Sequence, residues 1–347
     1  MELADEVSSP LALVHDLRDI EDLRPLDAFA GEMTETTARL LEAGTDVLQI
    51  TRAVAGVNDA LTSRLLELAE NRLGRPPFAY AWLALGSHGR GEQVLSSDQD
   101  SALAYGGLRL APGEPADYYP RLAGLVVDGL ARAGIPRCSG GYMATTWWHS
   151  LEELTSYFRR WVEHPLPAAL LQAEVFLDVR PVHGELDVGV LGDVLVRGGQ
   201  RGTFILQMAR AAVSFHPPPV LFGRIRTEHG VLDVKRAGTA AIVLLARLYA
   251  FAAASGARTT LSRLEAARQA RLLSPSGVDD LLDAYRLLTT LRLRHQIEQV
   301  RRGELPDNRV VVDALAADDR RRLRDAVRTV RVVQEVTQTR FSTHTVT

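Results

Sequence analysis

Residues 78–105 of the 347-residue chain read FAYAWLALGSHGRGEQVLSSDQDSALAY, and this stretch limits the fold most tightly. FAYAWLAL (78–85) and SALAY (101–105) are short apolar runs bounded by glycine and charged residues, the pattern of buried strands. Strands this short need a sheet and covering helices to be stable, and the flanks offer both. From Pro10 to Leu73 apolar residues recur at three and four (Leu11, Val14, Leu17; Leu61, Leu65, Leu68), which predicts antiparallel helical pieces interrupted at Pro25 and Gly44. VFLDVRPVHG (175–184) predicts a third strand, stopped by Pro181 and Gly184. From about residue 190 to 339 the pattern is almost wholly helical, with breaks at HPPP (216–219), SPSG (274–277) and GELPDN (303–308). The expected fold class is α+β. A small mixed sheet over 76–188 is flanked by an N-terminal helical segment (1–75) and a C-terminal helical bundle (189–347).

Two further helices are readable inside the central unit. One runs from about Tyr118 to Ala133, closed by Gly134 and Pro136. The other follows CSGGYMATTWWHS (138–150) and extends to about Val162, because Ser150 and Glu153 have the spacing of a capping box. Trp147 and Trp148 are expected to pack between sheet and helix rather than to stack on a base.

Composition narrows the partners. With 46 % hydrophobic residues and a net charge of −3 the chain can build a large core, but it has no basic field for a polyanion, so nucleic acid is not an expected partner. Cys138 is the single cysteine, which excludes an intrachain disulfide and a cysteine-built zinc site and fits a reducing cytoplasm. The N-terminus begins acidic and is interrupted by Pro10, unlike a signal peptide. AGTAAIVLLARLYAFAAASGA (237–257) approaches membrane-spanning length, but Arg247 at its middle makes it a buried core helix. No membrane association is expected. RRRLRDAVRTVR (320–331) is interrupted by Asp325 and reads as a solvated helix face.

The chemistry is concentrated between the first two strands. Side chains at i and i+2 of an extended segment share a face, so Asp98 and Asp100 present two carboxylates side by side. Like charges this close repel unless they share a cation, and paired carboxylate oxygens suit a hard ion such as Mg²⁺, which also takes phosphate oxygens. Gly86 permits close backbone approach, Ser87 offers a hydroxyl and an amide, and Gly89 and Gly91 keep the following turn open. The stretch therefore combines a phosphate cradle with a metal site. Arg90 and Glu92 read either as a phosphate contact with its supporting partner or as a mutual ion pair. Lys235 and Arg236 in LDVKRAG read either as nucleotide contacts or as a solvated pair at a helix start.

Gly-Ser, about ten residues, then Asp-x-Asp entering a strand resembles the signature of the DNA polymerase beta nucleotidyltransferase superfamily. GSHGRGEQ with SSDQD is similar to the branch related to the protein-PII uridylyltransferases, often attached to CBS or cyclic-nucleotide-binding sensor domains. WLALGSHGRGEQ, GGYMA, YFRRWVEHP, VFLDVRPVHGE, LDVKRAG and LRLRHQIEQ followed by PDN carry the likeness along essentially the whole chain. The resemblance implies transfer of NMP from an NTP (UTP or ATP) to a protein acceptor, a PII-like signalling protein among the candidates. Gly86 and Ser87 would hold phosphates, with Arg90 and Lys235 as further nucleotide contacts. Asp98, Asp100 and a third carboxylate, for which Asp178 is the candidate, would bind Mg²⁺ or Mn²⁺. The alternative is a catalytically silent nucleotide-sensing or scaffold module. His88 stands where relatives are expected to carry Glu, at what reads as an exposed turn position. The only His-Asp dipeptide is His15-Asp16, so the phosphohydrolase activity that removes such modifications is not expected. The first helix begins close to Met1, so regulatory input is expected from a separate sensor protein or from the helices themselves.

Overall fold

The computed structural model describes residues 9–18, 20–21, 26–107, 114–166, 170, 173–221 and 223–343. The run before Ser9, Pro25 and residues 108–113 lie outside the described residues. The chain divides into two compact units, one of Met1–Leu154, Asp178–Val188 and Gln299–Glu304, the other of Thr155–Leu177, Gly189–Glu298 and Leu305–Thr347.

The first unit places the N-terminal helices and the sheet in one body. Helices α1 (Pro10–Arg18), α2 (Leu26–Glu42) and α3 (Val47–Leu73) precede strand β1 (Tyr80–Ala84). Asp46 caps α3 by accepting from the Leu48 amide at 2.9 Å. A five-residue helix, α4 (Gly86–Arg90), leads towards β2 (Ser101–Tyr105). Then follow α5 (Glu114–Arg132), which begins earlier than Tyr118, β3 (Trp148–Ser150), α6 (Leu151–Glu163), of which only Leu151–Leu154 belong to this unit, and β4 (Arg180–His183). The sheet order is β3-β2-β1-β4, with β2–β3 parallel and the other pairs antiparallel.

Register explains why the strands read as continuous apolar runs. Tyr80 pairs with Tyr105 and Trp82 with Leu103, so these four share one face, and they join Leu61, Leu65, Tyr119, Leu122 and Val126 in one core. Ala81, Leu83, Ala102 and Ala104 occupy the other face and are also fully buried. The helices bury their apolar stripes on the sheet. Both halves of the capping box form: the Ser150 hydroxyl accepts from the Glu153 amide, and the Glu153 carboxylate accepts from the Ser150 amide, each at 3.2 Å. Trp148 packs partly against this core, its ring 6.3 Å from that of Tyr105.

The second unit is mostly helical, as expected. It contains α7 (Gly189–Gly198), α8 (Gly202–Ser214), α9 (Ala240–Ala252), α10 (Thr260–Gln269), most of α11 (Pro275–Arg301) and α12 (Ala317–Arg340). Two small antiparallel pairs depart from the all-helical reading: β5 (Val220–Leu221) with β6 (Arg224–Ile225), and β7 (Val231–Asp233) with β8 (Arg309–Val311). Runs of two or three residues are too short to show a period. Helix α9 lies within the stretch tested above as a membrane span and is buried along almost its whole length. Among the described residues no helix is long and apolar enough to cross a membrane.

Candidate functional site

The site is assembled where β1 ends and β2 begins. Leu85 continues β1 in extended conformation and donates its amide to the Asp100 carbonyl at 3.0 Å, so the two strands are still tied at the point where the loop leaves. Gly86 then takes φ +52°, and a Cβ there would lie 2.6 Å from Asp100 Oδ2. The left-handed backbone favours glycine, and a side chain there would displace the Asp100 carboxylate that lies against it. At Gly89 a Cβ would fall 1.8 Å from the Asp178 carbonyl oxygen and 2.9 Å from that of Ala84, so the turn rests directly on its neighbours' backbone. Gly91, at φ +68°, closes the turn by donating to the His88 and Ser87 carbonyls. Ser87 is half-buried on the first turn of α4, whose leading amides have no partner within the helix.

Alternation along 98–100 separates metal chemistry from core. Gln99 is buried and donates through Nε2 to the Val127 and Ile135 carbonyls at 3.2 and 2.8 Å, which turns Asp98 and Asp100 to the opposite side. Both aspartates are half-buried. A parallel bridge between Gln99 and Arg137, with the Gln99 amide donating to the Pro136 carbonyl at 2.9 Å, carries the following residue, Cys138, to the aspartates' face. One ligand atom from each of Asp98, Asp100 and Cys138 lies within 4.8 Å of the others, and this is the potential metal-holding cluster among the described residues. Sequence reasoning had set Cys138 aside, because nothing local announces that residue 137 pairs with residue 99.

Burial, followed by the neighbouring Asp100 carboxylate, pushes the Cys138 thiol up to about 11, against the counter-effect of backbone amides. The neutral thiol is thus the form present near pH 7. We predict that iodoacetamide at pH 8 alkylates Cys138 about 100-fold more slowly in the folded protein than in urea, read by mass spectrometry. Equal rates would contradict this placement.

Asp178 falls on a 3-10 turn, Phe176–Asp178, rather than inside the strand expected over 175–184, which is β4 and begins only at Arg180. Its carboxylate is not part of the metal cluster. Instead its fully buried side chain receives a hydrogen bond from Arg90 Nη1, while Arg90 Nε donates to Glu92 Oε2 at 2.8 Å. The Arg90 side chain is 11 % exposed, so its guanidinium is held by two carboxylates inside the fold rather than presented to solvent. Arg180 reaches the loop from below, with Nη2 donating to Asp59 Oδ1 at 2.9 Å and the His88 carbonyl at 3.1 Å, and Nε to the Gly89 carbonyl at 3.3 Å.

His88 is buried, not an exposed turn residue, and its Nε2 meets Asp59 Oδ1 at 2.7 Å. Burial raises the Asp59 carboxyl, but hydrogen bonds from His88 and Arg180 outweigh it and hold the group below the usual carboxylate range. A lowered folded value means that the stabilisation is present above the ordinary carboxylate pKa, about 3.9, and is lost as pH falls through the folded value. Acid unfolding of wild type should therefore be steeper below about pH 4 than that of Asp59→Asn, followed by circular dichroism. Parallel curves would remove Asp59 from the anchoring of the loop.

Lys235 lies in the second unit, exposed at the start of a π-helical turn, Lys235–Thr239. The neighbouring Arg236 amide donates to Asp233 Oδ1 at 3.0 Å, which ties this turn to β7.

No curated protein matches the chain. Residues 31–168 match the family model described as "Putative nucleotidyltransferase DUF294", and residues 202–341 match the one described as "Putative nucleotidyltransferase substrate binding domain". The two matches together span about four-fifths of the sequence, and the first contains the glycine turn and the paired aspartates. Together the two matches support a nucleotidyltransferase family for this chain.

Proposed function

We propose that the protein is a divalent-metal-dependent nucleotidyltransferase that moves NMP from an NTP to a protein hydroxyl, with a PII-like signalling protein as the first acceptor to test. The observation that carries this reading is the Asp98–Asp100 pair on one face, closed against a glycine whose Cβ would fill the space beside Asp100. Two half-buried carboxylates at that spacing are costly alone and fit a hard cation such as Mg²⁺ or Mn²⁺. Such an ion, held by Asp98 and Asp100, would neutralise phosphate charge and act as a Lewis acid at the transferring phosphorus. The chain's own contribution is placement. Gly86 and Ser87 offer backbone amides and a hydroxyl to phosphate oxygens, and Gly89 allows the turn to sit on Asp178 and Ala84 without a side chain between them. Arg90, Asp178, Glu92, Arg180 and Asp59 hold that turn at a fixed height beside the aspartates. In this reading Asp178 and Arg90 are positioning residues.

The second reading, nucleotide sensing without turnover, is favoured by one observation: the cluster gathers two carboxylates and a thiol rather than three carboxylates. One assay separates the two. Purified protein is incubated with Mg²⁺, each α-labelled NTP in turn and host lysate, with a purified PII-like protein as a defined acceptor. Label on a protein band supports transfer. NTP binding by equilibrium dialysis with no labelled product supports the sensor, and absence of NTP binding overturns both.

A further inference from the structure

The metal cluster contains one group for which the proposed chemistry has no use. Asp98 and Asp100 are hard oxygen donors and the Cys138 sulfur is a soft one, yet a ligand atom of each lies within 4.8 Å of the others. Mg²⁺ takes oxygen ligands, so a sulfur placed against the aspartates adds nothing for that ion. It does matter for Zn²⁺, which accepts sulfur and carboxylate oxygen together at about 2.0–2.3 Å. Three protein ligands with one position left open is the arrangement of a zinc centre that also takes a substrate.

The surroundings of the sulfur are shaped in the same sense. Cys138 is buried, and a Cβ at Gly140 would fall 3.6 Å from its Sγ and 2.8 Å from Tyr142 Cε2. Gly86 clears the space beside Asp100 Oδ2 in the same way, so glycines stand against two of the three donors. Backbone amides of Tyr142 and Gly140 donate to the sulfur, and the Asp100 carboxylate is in hydrogen-bond contact with it. Amides aimed at a sulfur favour its charged, ligating form and hold it in one orientation. The aspartates are half-buried, which leaves their edge of the cluster accessible to an ion. We propose that Cys138 is the third ligand of this centre and tunes it to a divalent ion softer than Mg²⁺, with Zn²⁺ as the best fit. On binding, the S–H bond breaks, its proton passes to solvent, and the sulfur lone pair forms the bond to the ion, with no electron transferred. The inference rests on the metal reading of the paired aspartates and narrows which ion they hold.

Co²⁺ is the probe, because it occupies zinc sites and its bond to a thiolate absorbs in the near ultraviolet. Cys138 is the single cysteine, so such a band can arise from no other side chain. The full-length protein, freed of metal with a chelator, should develop the band on titration with Co²⁺ and lose it when Zn²⁺ displaces the cobalt. Cys138→Ser should lack the band and bind Zn²⁺ at least about 10-fold more weakly, since losing a ligand costs no less than losing a residue that merely orients one. Its Mg²⁺ affinity, measured by calorimetry, should stay within about twofold of wild type, because Mg²⁺ draws on the oxygens. Thermal melts establish that the variant is folded, and the band on wild type needs no variant. Co²⁺ binding without the band, or unchanged Zn²⁺ affinity in folded Cys138→Ser, overturns the inference and leaves the aspartate site standing. Absence of binding by Co²⁺, Zn²⁺ and Mg²⁺ alike at millimolar concentration overturns both.

Discussion

Asp98→Asn and Asp100→Asn should each lower NMP transfer by at least about 10³-fold while the protein stays folded. The magnitude follows from the several kcal/mol of transition-state stabilisation that a held divalent ion supplies, at about 1.4 kcal/mol per tenfold. The accompanying stability change has the opposite sign to that of an ordinary damaging substitution. In the absence of metal, replacing one of two neighbouring carboxylates relieves repulsion, so the variants should melt at or slightly above the wild-type temperature. On adding Mn²⁺ or Mg²⁺ at 100 times its dissociation constant, wild type should gain about 2.7 kcal/mol and the variants should gain almost nothing. Scanning fluorimetry with and without the ion reads both effects. Variants that lose activity but still gain stability from the metal would move the metal site away from Asp98 and Asp100.

Asp178 should behave in the reverse way. Its carboxylate is fully buried against Arg90, and removing it takes away one of the carboxylates that hold a nearly buried guanidinium. Asp178→Ala should cost about 3 kcal/mol by urea unfolding, the lower end of the range for breaking a buried pair, because Glu92 still faces the charge. A double variant, Arg90→Met with Asp178→Leu, removes both charges and should recover much of that loss. The metal response separates anchoring from ligation. If Asp178 holds Arg90, Asp178→Asn loses stability without metal and keeps the metal concentration needed for half-maximal stabilisation. A ligand would show the opposite: unchanged metal-free stability and a weaker metal response.

These two predictions differ because the two aspartate sites became legible at different stages. Asp98 and Asp100 are two positions apart at the mouth of a strand, so their common face is a local consequence of the pleat. Asp178 reads just as plausibly as a strand carboxylate, yet its partner is 88 positions away. That partner is selected by how the 3-10 turn rests on Gly89, a contact no local pattern contains. Cys138 was missed for the same kind of reason, since it reaches the cluster only through the pairing of Gln99 with Arg137. His88 was misread as exposed because its partner, Asp59, lies on α3, outside any window around the turn.

By itself, the sequence determined the local geometry of this protein. The two buried strands, the glycines of the turn, the shared face of Asp98 and Asp100, the capping box at Ser150 and the burial of α9 around Arg247 all follow from periodicity and backbone preference within a dozen residues. Only the tertiary structure decided which distant groups meet: the thiol beside the aspartates, Arg90 between Asp178 and Glu92, Arg180 beneath the turn, and the β7–β8 pair. The physical reason is that an amphipathic pattern specifies a face but not the identity of what covers it. That choice rests on the packing and charge pairing of whole elements, where the free energy of each contact depends on all the others being in place.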